Sequence, residues 1–262
     1  LLKNIADMED LLSKENRIKT RIKHELRAVE KKYAKERLTD IIDEDEVTVI
    51  TEDHLIEDYN LRIFLTNDGY IKKIPLTSLR SSPEQKLKEG DSIRQECEWH
   101  NKSDILFISS KQTVYKMKLY ELPDSKAGAL GDYLQNILGL EADEHIVYFI
   151  VTDNYDGEIL FAYENGKISR IPLSAYATKT NRKKLINAYS AAAPLADVLF
   201  IHGETEIAVS STNDRILVCS SEQIPLKTTK SSQGVQVLKV KKDYILKYMK
   251  RSEECGFAEI KV

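Results

Sequence analysis

The sequence predicts a mainly β chain: a propeller-like radial array of small sheets behind an N-terminal helical arm. Three observations carry this. Apolar residues recur at helical spacing up to about residue 38. After Asp40, β-branched and aromatic residues dominate and turn residues appear at intervals. A hairpin pattern then returns four times in register.

The arm comes first. Leu1, Ile5, Met8 and Leu12 follow a 3/4 spacing. Ser13 is placed to cap a second helix that carries Glu15 in its first turn. Ile18, Ile22, Val29 and Tyr33 give that helix one apolar stripe, with Leu26 beside it. The rest of its surface is Lys, Arg and Glu, as in a helical hairpin or coiled-coil arm. The acidic run DIIDEDE (Asp40–Glu46) reads as a solvated connection. The expected division is an arm over 1–40, an acidic linker and first strand over 41–57, and the β array over 58–262.

The repeats are FLTNDGYIKKIPL from Phe64, FISSKQTVYKMKL from Phe107, FAYENGKISRIPL from Phe161 and VSSTNDRILVCSS from Val209, at offsets of 43, 54 and 48 residues. Such offsets suit blades of about four strands each. Gly69 and Gly166 supply the positive φ of the turns. Each return strand places Ile71, Val114, Ile168 or Ile216 at one equivalent site. Two residues later stand Lys73, Lys116 and Arg170; the fourth copy has Val218. Each hairpin runs on into an apolar position (Leu79, Leu122, Tyr176, Ile224) and a basic loop. Those loops hold Arg80, Lys86 and Lys88; Lys126; Lys179, Arg182, Lys183 and Lys184; and Lys227 and Lys230. Equivalent loops of like-oriented blades share a rim, so these residues are expected to form a curved positive band.

Composition bounds the function. The 262 residues suffice for a real core, and 42% are hydrophobic. The net charge of −3 is not that of a strongly basic nucleic-acid binder, yet KTNRKK (Lys179–Lys184) and KVKK (Lys239–Lys242) make local basic runs. Cys97, Cys219 and Cys255 have no metal-ligand spacing, as expected of thiols in a reducing cytosol. No apolar run approaches the roughly 18 to 20 residues of a membrane span, and no signal peptide is evident. The chain opens on Leu, as expected of a piece of a longer protein. It contains no P-loop, zincin helix or nucleophile elbow. His24, His54, His100, His145 and His202 are far apart, and His100 beside Trp99 reads as a surface pair. The thirteen tyrosines fall on strand alternations or helix stripes, with no regular pairing of Tyr and Lys.

GYIKKIPL followed by VYKMKLYELPDSKAGALGDYLQNILGLEADE resembles the C-terminal domain of bacterial type IIA topoisomerase A subunits, the family of DNA gyrase and topoisomerase IV, over most of residues 47–240. KTTKSSQGVQVLKV is similar to the Gly-Val pattern that ends the family's blades. IKHELRAVEKKYAKERLTDI resembles the helix leaving the breakage-reunion core, with Arg37, Thr39 and Ile41 matching and Leu38 and Asp40 departing from it. The resemblance implies a β-pinwheel whose blades exchange a strand. It also implies a basic rim that binds and bends duplex DNA without sequence readout and presents it to the strand-passage core. No catalytic residue, metal site or cofactor is expected in this chain. ATP and Mg, and contact with the B subunit, would belong to the rest of the parent enzyme, in the bacterial cytoplasm at the nucleoid.

The gyrase members carry a Gln-Arg-Arg-Gly-Gly-X-Gly box after the first hairpin; here that loop reads SLRSSPEQKLKEGDSI. It keeps Arg80, Lys86, Lys88 and Gly90 but loses the paired arginines and glycines that let backbone and guanidinium approach phosphate. With only four hairpins visible, a topoisomerase IV-like protein is expected. The competing expectation is a protein-interaction scaffold, which the near-neutral charge and the acidic EADE (Glu141–Glu144) favour.

Overall fold

The structure is a computed structural model that describes residues 1–35, 39, 55–80, 84–178, 183–240 and 244–255. The expected linker and first strand lie outside these up to residue 54, as do Lys179 and Arg182. The chain divides into two compact units, Leu1–Ile50 and Thr51–Val262. No helix among the described residues is long and apolar enough to cross a membrane.

In the first unit, α1 spans Leu2–Ser13 and α2 spans Glu15–Tyr33. Lys14, in extended backbone, is the N-cap of α2. Ser13 does not cap it as expected, because its hydroxyl donates backward to the Asp10 carbonyl at 2.9 Å. Charge holds the turn instead. Lys14 meets Asp10 at 2.6 Å, and Arg17 meets Asp7 at 3.1 Å and also Asp10. Ile22, Leu26, Val29 and Tyr33 of the α2 stripe are exposed.

The second unit has four blades, each built on one repeated hairpin. β1 (Asn60–Thr66) turns into β2 (Tyr70–Pro75), and β3 (Ile93–His100) pairs with β1. β4 (Asp104–Ser109) turns into β5 (Val114–Lys118); β6 (Asp132–Tyr133) follows, and β7 (Ile146–Thr152) pairs with β4. β8 (Glu158–Tyr163) turns into β9 (Lys167–Pro172), then β10 (Lys184–Leu185) and β11 (Leu195–Ile201), which pairs with β8. β12 (Glu206–Ser211) turns into β13 (Ile216–Ser220), then β14 (Val235–Gln236) and β15 (Leu246–Arg251), which pairs with β12.

The short strands complete the preceding blade. β6 pairs with β2, β10 with β5 and β14 with β9. The sheet orders are therefore β3-β1-β2-β6, β10-β5-β4-β7, β11-β8-β9-β14 and β13-β12-β15. This is the strand exchange of a pinwheel. β3, β7, β11 and β15 of successive blades approach one another and mark the inner side. The register confirms the repeat, since Leu65, Ile108, Ala162 and Ser210 face Ile71, Val114, Ile168 and Ile216 across their turns.

The central strands of blades 2 and 3 are apolar on both faces because a neighbouring blade covers each side. Ile105 and Phe107 pack with Leu61, Ile63 and Ile71 of blade 1, whereas Leu106 and Ile108 pack with Ile159 and Phe161 of blade 3. Leu160 and Ala162 in turn meet Ile207 and Val209 of blade 4. Alternate residues of one strand thus serve two junctions. Among the described residues no apolar cluster joins blade 4 to blade 1.

Glycine lets the exchanged backbone settle onto its acceptor strand. Gly131 (φ 89°) precedes β6, and a Cβ there would lie 2.4 Å from the Ile71 carbonyl oxygen. Gly234 (φ 73°) precedes β14, and a Cβ there would lie 2.1 Å from the equivalent Ile168 oxygen. Gly131→Ala and Gly234→Ala are each expected to cost about 2 to 4 kcal/mol, combining left-handed strain with a backbone clash. Gly139→Ala, at φ 62° with open space around it, should cost only about 1 kcal/mol. Urea unfolding of the three variants checks the ranking, and equal losses would remove the role given to close approach.

Candidate nucleic-acid interface

The predicted cations divide into two classes. The three ladder residues point inward. The Lys73 ammonium is buried and lies 2.9 Å from Asp124 and 3.0 Å from Asn101 Oδ1, with the Leu119 carbonyl at 3.4 Å. The Arg170 guanidinium forks onto Glu158 at 2.5 and 3.0 Å and also donates to the Ser221 and Ile224 carbonyls. Leu119 and Ser221 lie in the 3-10 turns that follow the return strands of blades 2 and 4. Lys73 thus fastens blade 1 to blade 2, and Arg170 fastens blade 3 to blade 4. Lys116 lies 3.5 Å from Asp104 and 4.7 Å from the Tyr155 ring centroid. These side chains are satisfied by protein groups, which explains their recurrence without a ligand. At the fourth position stands Val218, and no further hairpin follows among the described residues.

The loop cations lie on the crossovers that carry the chain back to the preceding blade. The Ser125 amide donates to the Lys73 carbonyl, the Lys116 amide to the Lys183 carbonyl, and the Lys227 amide to the Arg170 carbonyl, at 2.7 to 2.8 Å. Lys126, Lys183, Lys184 and Lys227 are therefore set at corresponding places along the outer edges of blades 1 to 3, and all four are exposed. Arg80 and Lys86 are exposed on the loop after β2. Arg80, Lys86, Lys126 and Lys227 form no ion pair among the described residues. Others are engaged. Lys88 meets Asp68 at 2.9 Å, and Lys183 meets Glu121 at 2.6 Å. Lys184 sits 5.2 Å from the Tyr115 ring centroid and Lys230 5.1 Å from that of Tyr176.

Sequence reasoning missed this pairing of lysine with tyrosine. Tyr115 and Tyr176 are buried, so their faces hold lysines in place and offer no stacking platform for a base. A related arrangement recurs deeper down. The Tyr59 hydroxyl donates to Asp124, the partner of Lys73, and the Tyr155 hydroxyl donates to Asp104, which faces Lys116 and Lys118. Burial alone would raise the Asp104 carboxyl, but the Tyr155 hydroxyl and the Lys118 and Lys116 ammoniums hold it below its usual value. His100 is also more engaged than expected, with Nε2 3.0 Å from Asp153 and Nδ1 3.4 Å from Asp58. Among the described residues no group of His, Cys, Asp or Glu is arranged to hold a metal ion.

Residues 63–83, 103–153 and 205–252 match the family described as DNA gyrase C-terminal domain, beta-propeller. The chain is 30% identical over 222 residues to the A subunit of DNA gyrase from Streptococcus pneumoniae, covering 80% of this chain and 27% of that protein. It is 24% identical over 246 residues to the A subunit of DNA topoisomerase 4 from Bacillus subtilis, covering 92% of this chain and 30% of that protein. The chain thus spans under a third of the length of these relatives. Its fold is similar to a crystal structure of the C-terminal domain of DNA topoisomerase IV, with a TM-score of 0.65 at 22% identity over 75% of this chain and 62% of that one.

Two classes of cation imply two classes of variant. Lys73→Met and Arg170→Met are expected to lower unfolding stability by about 2 kcal/mol, since the first leaves the buried Asn101 Oδ1 without its donor and the second leaves the half-buried Glu158 carboxylate without its partner. Lys126→Ala and Lys227→Ala should stay within about 0.5 kcal/mol of the parent. The depressed Asp104 carboxyl has a pH consequence of fixed sign. Its stabilisation is present above the unfolded-state value and is lost as pH falls through the lower folded-state value. Asp104→Asn should remove stability at neutral pH and flatten the loss below about pH 4, as read by urea midpoints from about pH 7 to about pH 2.5. An unchanged pH slope would show that this carboxylate does not matter to the fold.

Proposed function

We propose that the β unit, which matches the family described as DNA gyrase C-terminal domain, beta-propeller, is the C-terminal domain of a bacterial type IIA DNA topoisomerase A subunit and that it binds and bends duplex DNA. In this reading it presents the DNA to the strand-passage core of a longer A-type chain. That core works with a B subunit, ATP and Mg in the bacterial cytoplasm, at the nucleoid. The observation that carries the reading is the recurrence of exposed cations on corresponding crossovers: Lys126, Lys183 and Lys184, and Lys227, joined by Arg80 and Lys86. Lysine ammoniums along a curved edge neutralise phosphates and release counterions, which gives affinity without base readout.

Several features favour a topoisomerase IV-like role over chiral wrapping. The loop after β2 lacks the gyrase box, and Lys88 and Lys183 are already paired with carboxylates. Bending a 20 to 30 bp site costs on the order of 1 to 6 kcal/mol, which a sparse rim covers only for a modest arc. A second reading, a protein-interaction scaffold, draws on one observation: Ile216 and Val218 of the β13 edge are exposed.

Mobility shifts with linear duplex DNA across a salt series test the proposal. Binding near about 1 to 100 µM at physiological salt is expected, falling steeply as salt rises. Replacing Arg80, Lys86, Lys126 and Lys227 with Ala should shallow the log–log salt slope by roughly one per lost phosphate contact. Absence of binding even at low salt would replace this reading with the scaffold.

A further inference from the structure

Blade 1 has a face that no preceding blade covers. Ile71 and Lys73 of β2 point toward blade 2, where Ile71 joins the shared core. Lys72 and Ile74 alternate to the other face, where Phe64, Ile74 and Ala127 form a small apolar cluster with Leu79 against it. The loop after β2 and the crossover around Ala127 roof this face. Lys72 lies beneath them, fully buried.

Its ammonium donates to the Lys86 carbonyl at 2.8 Å, the Ala127 carbonyl at 3.0 Å and Gln85 Oε1 at 3.2 Å. The Ala127 carbonyl also accepts from the Lys86 amide at 2.9 Å. Three acceptors match the three donors of an ammonium. None is a carboxylate, unlike the partner of Lys73 one residue on. Burial holds the Lys72 ammonium below its usual value. Gly131 makes room for the stem, since a Cβ there would meet Lys72 Cγ at 2.6 Å. Two separate stretches of chain are thereby tied at one point. The tie lies within one residue of both Lys86 and Lys126, and Leu79 brings Arg80 to the same cluster.

We propose that Lys72 is a positioning residue that holds Arg80, Lys86 and Lys126 together as one phosphate-binding cluster, without itself touching DNA. Its neutral partners also keep a carboxylate away from the three cations of that cluster. A carboxylate acceptor in place of the Gln85 amide would reduce the attraction of the neighbouring cations for phosphate. The role rests on the DNA-binding reading for its consequence and on the hydrogen-bond geometry for its mechanism, so the two are tested separately.

Lys72→Met keeps the stem and removes the ammonium. In the full chain, amide hydrogen exchange at Lys86 and over 125–129 should accelerate by about tenfold or more, while exchange in β1, β4 and β8 stays slow. Unchanged exchange at Lys86 overturns the positioning role, whatever the chain binds. Affinity for linear duplex DNA at low salt should fall about tenfold. Adding Lys72→Met to the Arg80→Ala/Lys86→Ala/Lys126→Ala triple variant should have little further effect, since Lys72 acts through those residues. Multiplying losses would overturn the proposal, and so would unchanged affinity in Lys72→Met. A parent chain that binds no duplex overturns the DNA reading, while the exchange data still decide the link. Gln85→Ala removes one of the three acceptors and leaves the stem in place. It reads the same link, with a smaller acceleration at Lys86, should Lys72→Met not fold.

Discussion

A β-hairpin leaves the outer edge of its return strand without backbone partners, and the β unit is organised by how that edge is closed. In blades 1 to 3 the closing strand is two residues long and comes from the chain after the next hairpin. So short a ladder holds only if its approach is close and its flanks are fixed. Gly131 and Gly234 provide the approach. Lys73 and Arg170 fix the flanks by reaching from one blade to the turn of the next. The interlock makes each blade depend on its successor, and the apolar clusters at the junctions follow the same path.

This constraint also sets where charge is exposed. A cation on the return strand lies between blades, where leaving water is tolerable only with a carboxylate or a ring of carbonyls. Lys73, Lys116 and Arg170 meet that condition with Asp124, Asp104 and Glu158. A cation on the crossover lies outside the ladder, and Lys126 and Lys227 keep their ammoniums in water. Exposed, unpaired cations on the crossovers therefore coexist with a net charge of −3, because the carboxylates at the blade junctions are matched to the return-strand cations.

The two end blades depart from the rule in different ways. Blade 1 has no earlier neighbour, and its own loop covers the spare face, pinned by the Lys72 ammonium. Blade 4 has no crossover on β13 among the described residues. Ile216 and Val218 are 44% and 43% exposed, whereas Ile71 and Val114, at the positions equivalent to Ile216, are 2% and 1% exposed. An aliphatic residue at the same register thus changes environment with the presence or absence of a following blade and its two-residue partner strand.

The sequence by itself determined the helices of the arm, the four hairpins, their register and the apolar residue that ends each one. These follow from local periodicity and turn chemistry, which act over a few residues. Strand exchange was implied by family resemblance and not by the pattern, because β6, β10 and β14 are each too short to show a period. Ser13 failed as a cap because a nearer acceptor, the Asp10 carbonyl, was available within α1. Tertiary structure alone decided which cations face water. Lys72, Lys73 and Lys126 are the same residue type, two on a return strand and one on a crossover. Only packing between strands distant in the chain separates a buried organiser, a blade-to-blade latch and an exposed charge, because the desolvation that distinguishes them comes from neighbours no local window contains.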